Sequence, residues 1–394
     1  MSRSSPPRLK VLVTAHSVNS NIFDIRLGRP LRALAQQGEI NLRSKPIHEV
    51  SDFDFLWADA VVLQRDVDAR AARLISLARK LGKIFIFEID DLLTEPPPFL
   101  SIAREPEEKR QAIRYALAEA DIVSATTARL SDNLGIDLQK ITLTPNYSES
   151  ITPTQLRHPA ATTSTPTTLV LAASDRVLID FVIPSLKEVC DEFGALVSLV
   201  VIGPLADKVS QTIPDTRKIP ILPLDDFRRM LSELPNPIGI IPLDDSKFSN
   251  CKSAVKFFDY AMLGIPCICS NVPPYSDVIE NGRTGILTPN THNDWSRCIR
   301  ELATNAPLRK EISSRARSKV LSEHSFPLNQ AAWMKIMERT RAIAKKNAPR
   351  HQGLSHQSLR IFLLARAALG GALFIYLRKI NRMRIERKRA QRLK

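Results

Sequence analysis

Lys252, Lys256 and Asp259 follow Asn250 and Ser253 within one short stretch of chain, and residue types at that spacing point to anion binding. Positions i, i+4 and i+7 share one face of a helix that begins at Asn250 or Ser253, either of which is a good N-cap. A helix N-terminus offers unpaired backbone N–H groups and the positive end of the peptide dipole, so two lysines beside it make a cradle for a diphosphate. A carboxylate about a turn further on can accept hydrogen bonds from two ribose hydroxyls. The same spacing also suits a solvated face on which Asp259 pairs with Lys256, and spacing alone does not separate the two readings. Three other places carry reactive side chains. Asp90 and Asp91 follow the apolar run IFIFEI and precede three prolines; they suit acceptor binding or proton removal, or a capped turn. His16 directly follows the run VLVTA, and Arg176 closes the Ser174-Asp175-Arg176 turn after LVLAA. Arg176 is placed to reach a diphosphate or to stand solvated at a helix start.

The elements that must position these residues are legible as an alternation of strands and helices. Apolar runs at 10–15, 60–64, 83–89, 121–125 and 140–144 are separated by helical patterns at 26–37, 68–81 and 106–120. That order predicts βαβ units on a parallel sheet, and the nearly continuous apolarity of VLVTA, AVVLQ and IFIFEI predicts strands covered on both faces. The Ser-, Thr- and Pro-rich stretch 148–168 has no period and reads as a linker. Strands at 169–173, 197–202, 238–242 and 267–270 then alternate with helices at 177–193 and 225–234, and helices at 293–304, 308–322 and 328–345 follow. The paired acids Asp225-Asp226 and Asp244-Asp245 read as helix-start or loop caps. In an open α/β sheet, the loops after the strands line the ligand crevice. Gly264 and Pro266 predict a stop for the helix that carries Asp259.

The run KFFDYAMLGIPCICSNVPPYSDVIENGRTGILTP is similar to the donor-site signature of GT-B glycosyltransferases of the family 4, or group 1, type. Asp259, Gly264-Ile265-Pro266, Ser270, and Asp277-Val278-Ile279 through Gly282, Gly285 and Leu287 match that signature in order. Looser similarity, in Val61–Asp66 (VVLQRD) and in GKIFIFEIDDLLTEPP, extends to bacterial glycosyltransferases of surface-polysaccharide assembly. The resemblance implies two Rossmann-like, doubly wound domains facing a cleft. It implies an acceptor domain over 1–147, a linker over 148–168, a donor domain over 169–326 and a closing helix over 327–350. It also implies transfer from a nucleotide-diphosphate sugar to a glycan or lipid-linked acceptor, with retained anomeric configuration. Asn250, Lys252, Ser253, Lys256, Asp259 and Arg176 would then contact the donor, and Asp90, Asp91 and His16 would stand on the acceptor side. One departure is clear: the first of the family's two glutamates, eight positions before Asp259, falls at Cys251. The local pattern resembles a subgroup with N-x-K-S-x-x-K.

Composition bounds the remaining classes. With 394 residues, 44% hydrophobic and 25% charged, the chain has enough apolar material for two cores. The formal charge of +15 is uneven: residues 351–394 hold eleven Lys or Arg and one acid, Glu386, and so carry ten of the fifteen charges. The rest of the chain is only mildly basic, and only Tyr376 lies near the basic run, so no nucleic-acid partner is expected. The stretch 359–377 is apolar but interrupted by Arg366; followed by a polybasic segment, it suits anchoring on an anionic membrane surface, with docking on a partner subunit or a tilted span as alternatives. Five cysteines without CxxC spacing read as free thiols in a reducing compartment. The polar start shows no secretory signal, so a cytoplasmic body on the inner membrane face is expected. The lack of GxGxxG argues against a dinucleotide oxidoreductase. A lysine-and-amide cradle can stabilise a departing diphosphate without a metal, so neither metal nor cofactor is expected.

Overall fold

The computed structural model describes residues 8–65, 67–98, 103, 106–149, 165–172 and 179–347. Arg176 and the segment 351–394 lie outside the described residues. Within them the chain builds two six-stranded sheets in which every pairing is parallel. The first contains β1 (Leu9–Ala15), β2 (Ile40–Pro46), β3 (Ala60–Gln64), β4 (Ile84–Ile89), β5 (Ile122–Ala125) and β6 (Ile141–Leu143), in the order β2-β1-β3-β4-β5-β6. The second contains β7 (Thr167–Ala172), β8 (Val197–Ile202), β9 (Arg217–Ile219), β10 (Pro237–Ile241), β11 (Cys267–Ser270) and β12 (Ile286–Thr288), in the order β12-β11-β10-β7-β8-β9.

Alternate residues of the central strands feed cores on opposite faces, as a doubly covered parallel sheet requires. Val11, Val13, Val62, Ile84 and Ile86 pack to one side of the first sheet, while Leu63, Phe85 and Phe87 pack to the other. In the second sheet Leu169, Leu171, Leu199 and Val201 oppose Val170, Val200, Cys267 and Cys269. Three strands, β2, β9 and β12, carry no sequence signal of the kind found in the central ones. All are sheet edges. β2 reads INLRSKP and fully buries only Ile40, and β9 and β12 are three residues each, too short or too polar for a period to emerge.

The chain crosses between the sheets twice, side by side: Ser148 N–H donates to the His324 carbonyl at 3.0 Å, next to a Ser148–Ser325 bridge. After the second crossing the Phe326–Asn347 helix returns to the first sheet. Its Trp333, Ile336 and Met337 are fully buried against β1 and β3 residues, and burial of Ile336 and Met337 contributes about 1.5–3 kcal/mol each. Trp333 Nε1 donates to the Arg26 carbonyl at 3.1 Å.

The helix carrying Asp259 spans Val255–Met262. It ends as the sequence predicts: Gly264, at φ +71°, donates to the Ala261 carbonyl and Ile265 to that of Tyr260, a Schellman stop that needs a residue at ease with positive φ. The helix lies close to β10 because residue 239 is glycine. A Cβ there would stand 2.5 Å from the Tyr260 ring and 2.9 Å from Cys267 Sγ, and both neighbours are buried. Gly239→Ala is therefore expected to cost about 1–3 kcal/mol through overpacking, read as a lowered midpoint in urea denaturation with an unchanged slope.

Candidate active site

The carboxyl-end loops of the two sheets meet. Thr127, two residues past β5, caps the Ala128–Asn133 helix by accepting from Leu130 N–H, and its Oγ1 donates to the Cys251 carbonyl at 2.9 Å. Arg129 clasps Asp277 with two hydrogen bonds of 2.7 and 2.9 Å, and Lys247 reaches Glu95 at 2.7 Å. Between these contacts lies a cleft of about 210 Å³. Thr126, Thr127, Arg129 and Asn146 wall one side; Asn250, Lys252, Ser253 and Asp277 wall the other. Phe258 and His324 also line it.

The loop after β10 forms the second wall and is fixed at both ends. At its root, Ser270 Oγ accepts from Leu243 N–H and donates to Asn290 Oδ1, while Asn290 Nδ2 donates to the Leu243 carbonyl. Three strand ends are thereby joined by one polar knot. Asp244 accepts from Ser246 N–H and Ser249 Oγ, and Asp245 from Asn250 Nδ2; these acids are loop caps, as expected. Further along, Phe248 and Cys251 leave their own domain and lie in the core of the first, among Leu92, Leu130 and Leu134. Cys251 is 1% exposed, and burial pushes its thiol up to about 11.

Neither Asn250 nor Ser253 is the N-cap that the sequence predicts. The Val255–Met262 helix starts later than Asn250 or Ser253, with Ala254 at the cap position and no side-chain cap bond. Asn250 instead ends the short Lys247–Asn250 helix, which Ser246 caps. The late start also removes Lys252 from the helix face it was expected to share with Lys256 and Asp259; Lys252 precedes the helix, with its Nζ 4.9 Å from the centre of the Phe248 ring. Ala254 has no side chain that could cap the first turn, and the N-terminal end of a helix is the end that suits an anion. Lys256 is exposed at the second helical position. Asp259 is buried and pairs with Arg228 at 2.7 Å, a partner the sequence did not single out. Asn250, Lys252 and Ser253 are thus gathered at one cleft, and Asp259 stands on the adjoining helix.

On the first domain, the loop residues singled out by sequence all follow strands of one sheet. His16 is exposed directly after β1. Arg65 makes two hydrogen bonds to Asp90, at 2.8 and 2.9 Å, and approaches Asp91 at 3.8 Å. The Asp90 carbonyl accepts from Thr126 Oγ1 at 3.0 Å, which joins the acidic loop to the cleft wall. Beneath them lies a polar layer the sequence did not reveal. Arg26, on a π-helical stretch (Asp24–Gly28), donates from Nε to Glu88 at 2.7 Å, from Nη1 to the Thr144 carbonyl at 2.7 Å and Asn146 Oδ1 at 2.9 Å, and from Nη2 to Thr144 Oγ1 at 2.8 Å. Gln64 donates to the other Glu88 oxygen at 3.1 Å. Glu88 is fully buried, which pushes its carboxyl up against the pull of Arg26. By donating to the Asn146 oxygen, Arg26 fixes which end of that amide faces inward.

His324 was also not singled out by sequence, since a lone histidine after a helix carries no signal. Its ring stacks on Phe258 with centroids 4.0 Å apart, and among the described residues its buried Nδ1 has no partner. Burial holds the imidazole below its ordinary value of 6.5. The folded chain therefore favours the neutral ring, and this contribution is fully present above pH about 6.5. It is lost as the pH falls towards the folded value, because the unfolded chain takes up the proton first. His324→Phe keeps a ring for the stack but does not titrate. The loss of urea-unfolding stability between about pH 7.5 and about pH 5 is expected to be smaller in this variant than in the wild type.

Comparison with known proteins is consistent with this geometry. Residues 255–319, which begin at the uncapped helix, match the family described as Glycosyl transferases group 1. No curated protein matches the sequence. Among solved structures, the TarM protein of S. aureus, in complex with fondaparinux, alpha-GlcNAc-glycerol and UDP, is 14% identical with a TM-score of 0.53; the match covers 71% of this chain and spans only 56% of TarM. HepE of Anabaena, in complex with UDP and glucose, is 11% identical with a TM-score of 0.60 over 84% of this chain and 100% of its own. A glycosyltransferase from Rickettsia africae is 14% identical with a TM-score of 0.59 over 84% and 98%. Residues 255–319 are thus similar to the group 1 glycosyl transferases, and the chain shares the two-sheet GT-B fold of these solved structures.

Proposed function

We propose that the chain transfers a sugar from a nucleoside diphosphate sugar, with UDP as the leaving group, to a glycan or lipid-linked acceptor in cell-surface polysaccharide or glycolipid assembly. The observation that carries this reading is the uncapped start of the Val255–Met262 helix at the interdomain cleft, with Asn250, Lys252 and Ser253 beside it and Asp259 one turn along. Backbone N–H groups and lysines would hold the diphosphate, and Asp259 the ribose. Charge that develops on the departing diphosphate would meet donors already in place, which lowers the barrier without reorganisation. On this reading no metal is needed, and the anomeric configuration is retained. Asp90, Asp91 and His16 would orient or deprotonate the acceptor, and Arg176 would reach the diphosphate. The UDP assignment follows the ligand of HepE and of TarM. A catalytically lapsed GT-B protein acting as a scaffold or binding subunit at the membrane is the second reading, favoured by the buried Cys251 where the resembled family carries a carboxylate.

Thermal unfolding with UDP and UDP-sugars tests the site. At 100 times its Kd a ligand adds about 2.7 kcal/mol, and this gain is expected to disappear in Lys252→Ala. Sugar transfer that persists in EDTA supports the metal-free reading. UDP binding without turnover of any donor selects the binding subunit.

The location is also proposed: a cytoplasmic body held peripherally on the inner membrane face by residues 351–394. Among the described residues, no helix is long and apolar enough to cross a membrane. The full chain is expected to sediment with vesicles containing anionic lipid and to be released by raised salt, since the basic segment contributes about 1 kcal/mol per Lys or Arg near the surface. Binding to neutral vesicles that is insensitive to salt would contradict the electrostatic part of the anchor.

A further inference from the structure

Asp259 does not stand alone where it is buried. Arg228, on the Leu224–Ser232 helix, donates from Nη2 to Asp259 Oδ1 at 2.7 Å. Ser148 Oγ donates to the same oxygen at 3.3 Å. Both side chains of the Arg228–Asp259 pair are only 11% exposed. The other Arg228 terminal nitrogen, Nη1, donates to Glu149 at 3.2 Å, and Glu149 also receives Arg29 from the first domain. Among the described residues, Arg228 Nε is buried without a partner. The guanidinium is therefore held between a carboxylate of the second domain and one of the linker, and the linker carboxylate is in turn held by the first domain.

Two consequences follow from this arrangement. Burial pushes the Asp259 carboxyl up, and the Arg228 guanidinium is the main influence opposing it; without that cation the neutral acid gains ground and an acceptor becomes a donor. Both hydrogen bonds also end on Oδ1, so among the described residues Oδ2 receives neither. We propose that Arg228 is a positioning residue for the ribose carboxylate: it grips Asp259 by Oδ1 and leaves Oδ2 to accept the ribose hydroxyls, and Glu149 and Arg29 tie that orientation to the first domain. This rests on the nucleotide reading of the cleft. Arg suits the task where Lys does not, because a planar fork can serve two carboxylates at once while an ammonium is a single point charge.

The test compares the affinity of the full-length protein for UDP and for 2′,3′-dideoxyuridine diphosphate, by calorimetry. A charge-assisted hydrogen bond to the ribose predicts a preference for UDP of about tenfold or more in the wild type. Arg228→Leu is expected to collapse that ratio towards one, and Arg228→Lys to recover part of it. Glu149→Gln, which leaves the Arg228–Asp259 pair in place, is expected to weaken the ratio less than Arg228→Leu and serves as the second variant if Arg228→Leu does not fold. An unchanged ratio in Arg228→Leu, or in both Arg228→Lys and Glu149→Gln where Arg228→Leu fails to fold, overturns the role of Arg228 while the nucleotide site stands. No UDP binding by the wild type overturns the nucleotide reading itself, and this inference with it.

Discussion

Phe248 and Cys251 sit in a core that is not their own, and the geometry of the cleft depends on that exchange. The loop that leaves β10 must begin at the second sheet, where the Ser270–Asn290 knot holds its root, and must end at the second sheet, where Tyr260 packs over Gly239. Between those fixed ends it bends across to the first domain. An apolar side chain removed from water in this way contributes about 1.5–3 kcal/mol, far more than the half-exposed Arg129–Asp277 and Lys247–Glu95 pairs, which as surface ion pairs contribute about 0–1 kcal/mol each. The apolar exchange therefore fastens the domains, while the ion pairs and the Thr127 bond set register.

The first domain answers with a rigid wall. Arg26 and Glu88 are 3% and 0% exposed, and two charges withdrawn from water need every lone pair and proton satisfied. Gln64, Thr144 and Asn146 supply those partners. The π-helical step at Asp24–Gly28 widens the helix locally and accompanies the inward placement of Arg26. The closing helix completes the arrangement through Trp333, which binds the Arg26 carbonyl. A helix that follows the second domain in sequence thus braces the polar floor of the first.

Much of this was legible in the sequence because the relevant forces act over short range. Central strands buried on both faces read as unbroken apolar runs, and the Gly264-Pro266 stop reads from backbone preference alone. Three of the four edge strands, β2, β9 and β12, were silent because they are short or largely polar, whereas the edge strand β6 was legible as the run 140–144. The late start of the Val255–Met262 helix was also hidden: Asn250 and Ser253 have good capping chemistry, but Phe248 and Cys251 draw the preceding residues towards the other domain, so tertiary contact overrides local propensity. Arg26, Arg228 and His324 gave no signal, since each meets its partners across a large sequence separation. The Glu88 partner of Arg26 lies 62 residues away, and the Phe258 partner of His324 belongs to an earlier helix.

The departure at Cys251 gains a physical account from the same exchange. A carboxylate at that position would share a buried apolar cluster with Leu92, Leu130 and Leu134, with the Arg129 carbonyl oxygen at 3.6 Å, and burial there works against a charged group although Lys247 and Arg129 lie near enough to oppose it in part. A small thiol tolerates it, since buried cysteine behaves as a small hydrophobe. Position 251 is therefore committed to holding the domains together and is withdrawn from contact with anything in the cleft. Polar groups that meet a ligand on this side must come from its neighbours, Asn250 and Lys252, and from the opposite wall, where Asn146 and Thr126 line the same space. The polar groups that line this cleft are thus spread across two domains, and their geometry holds only while the domains stay fastened.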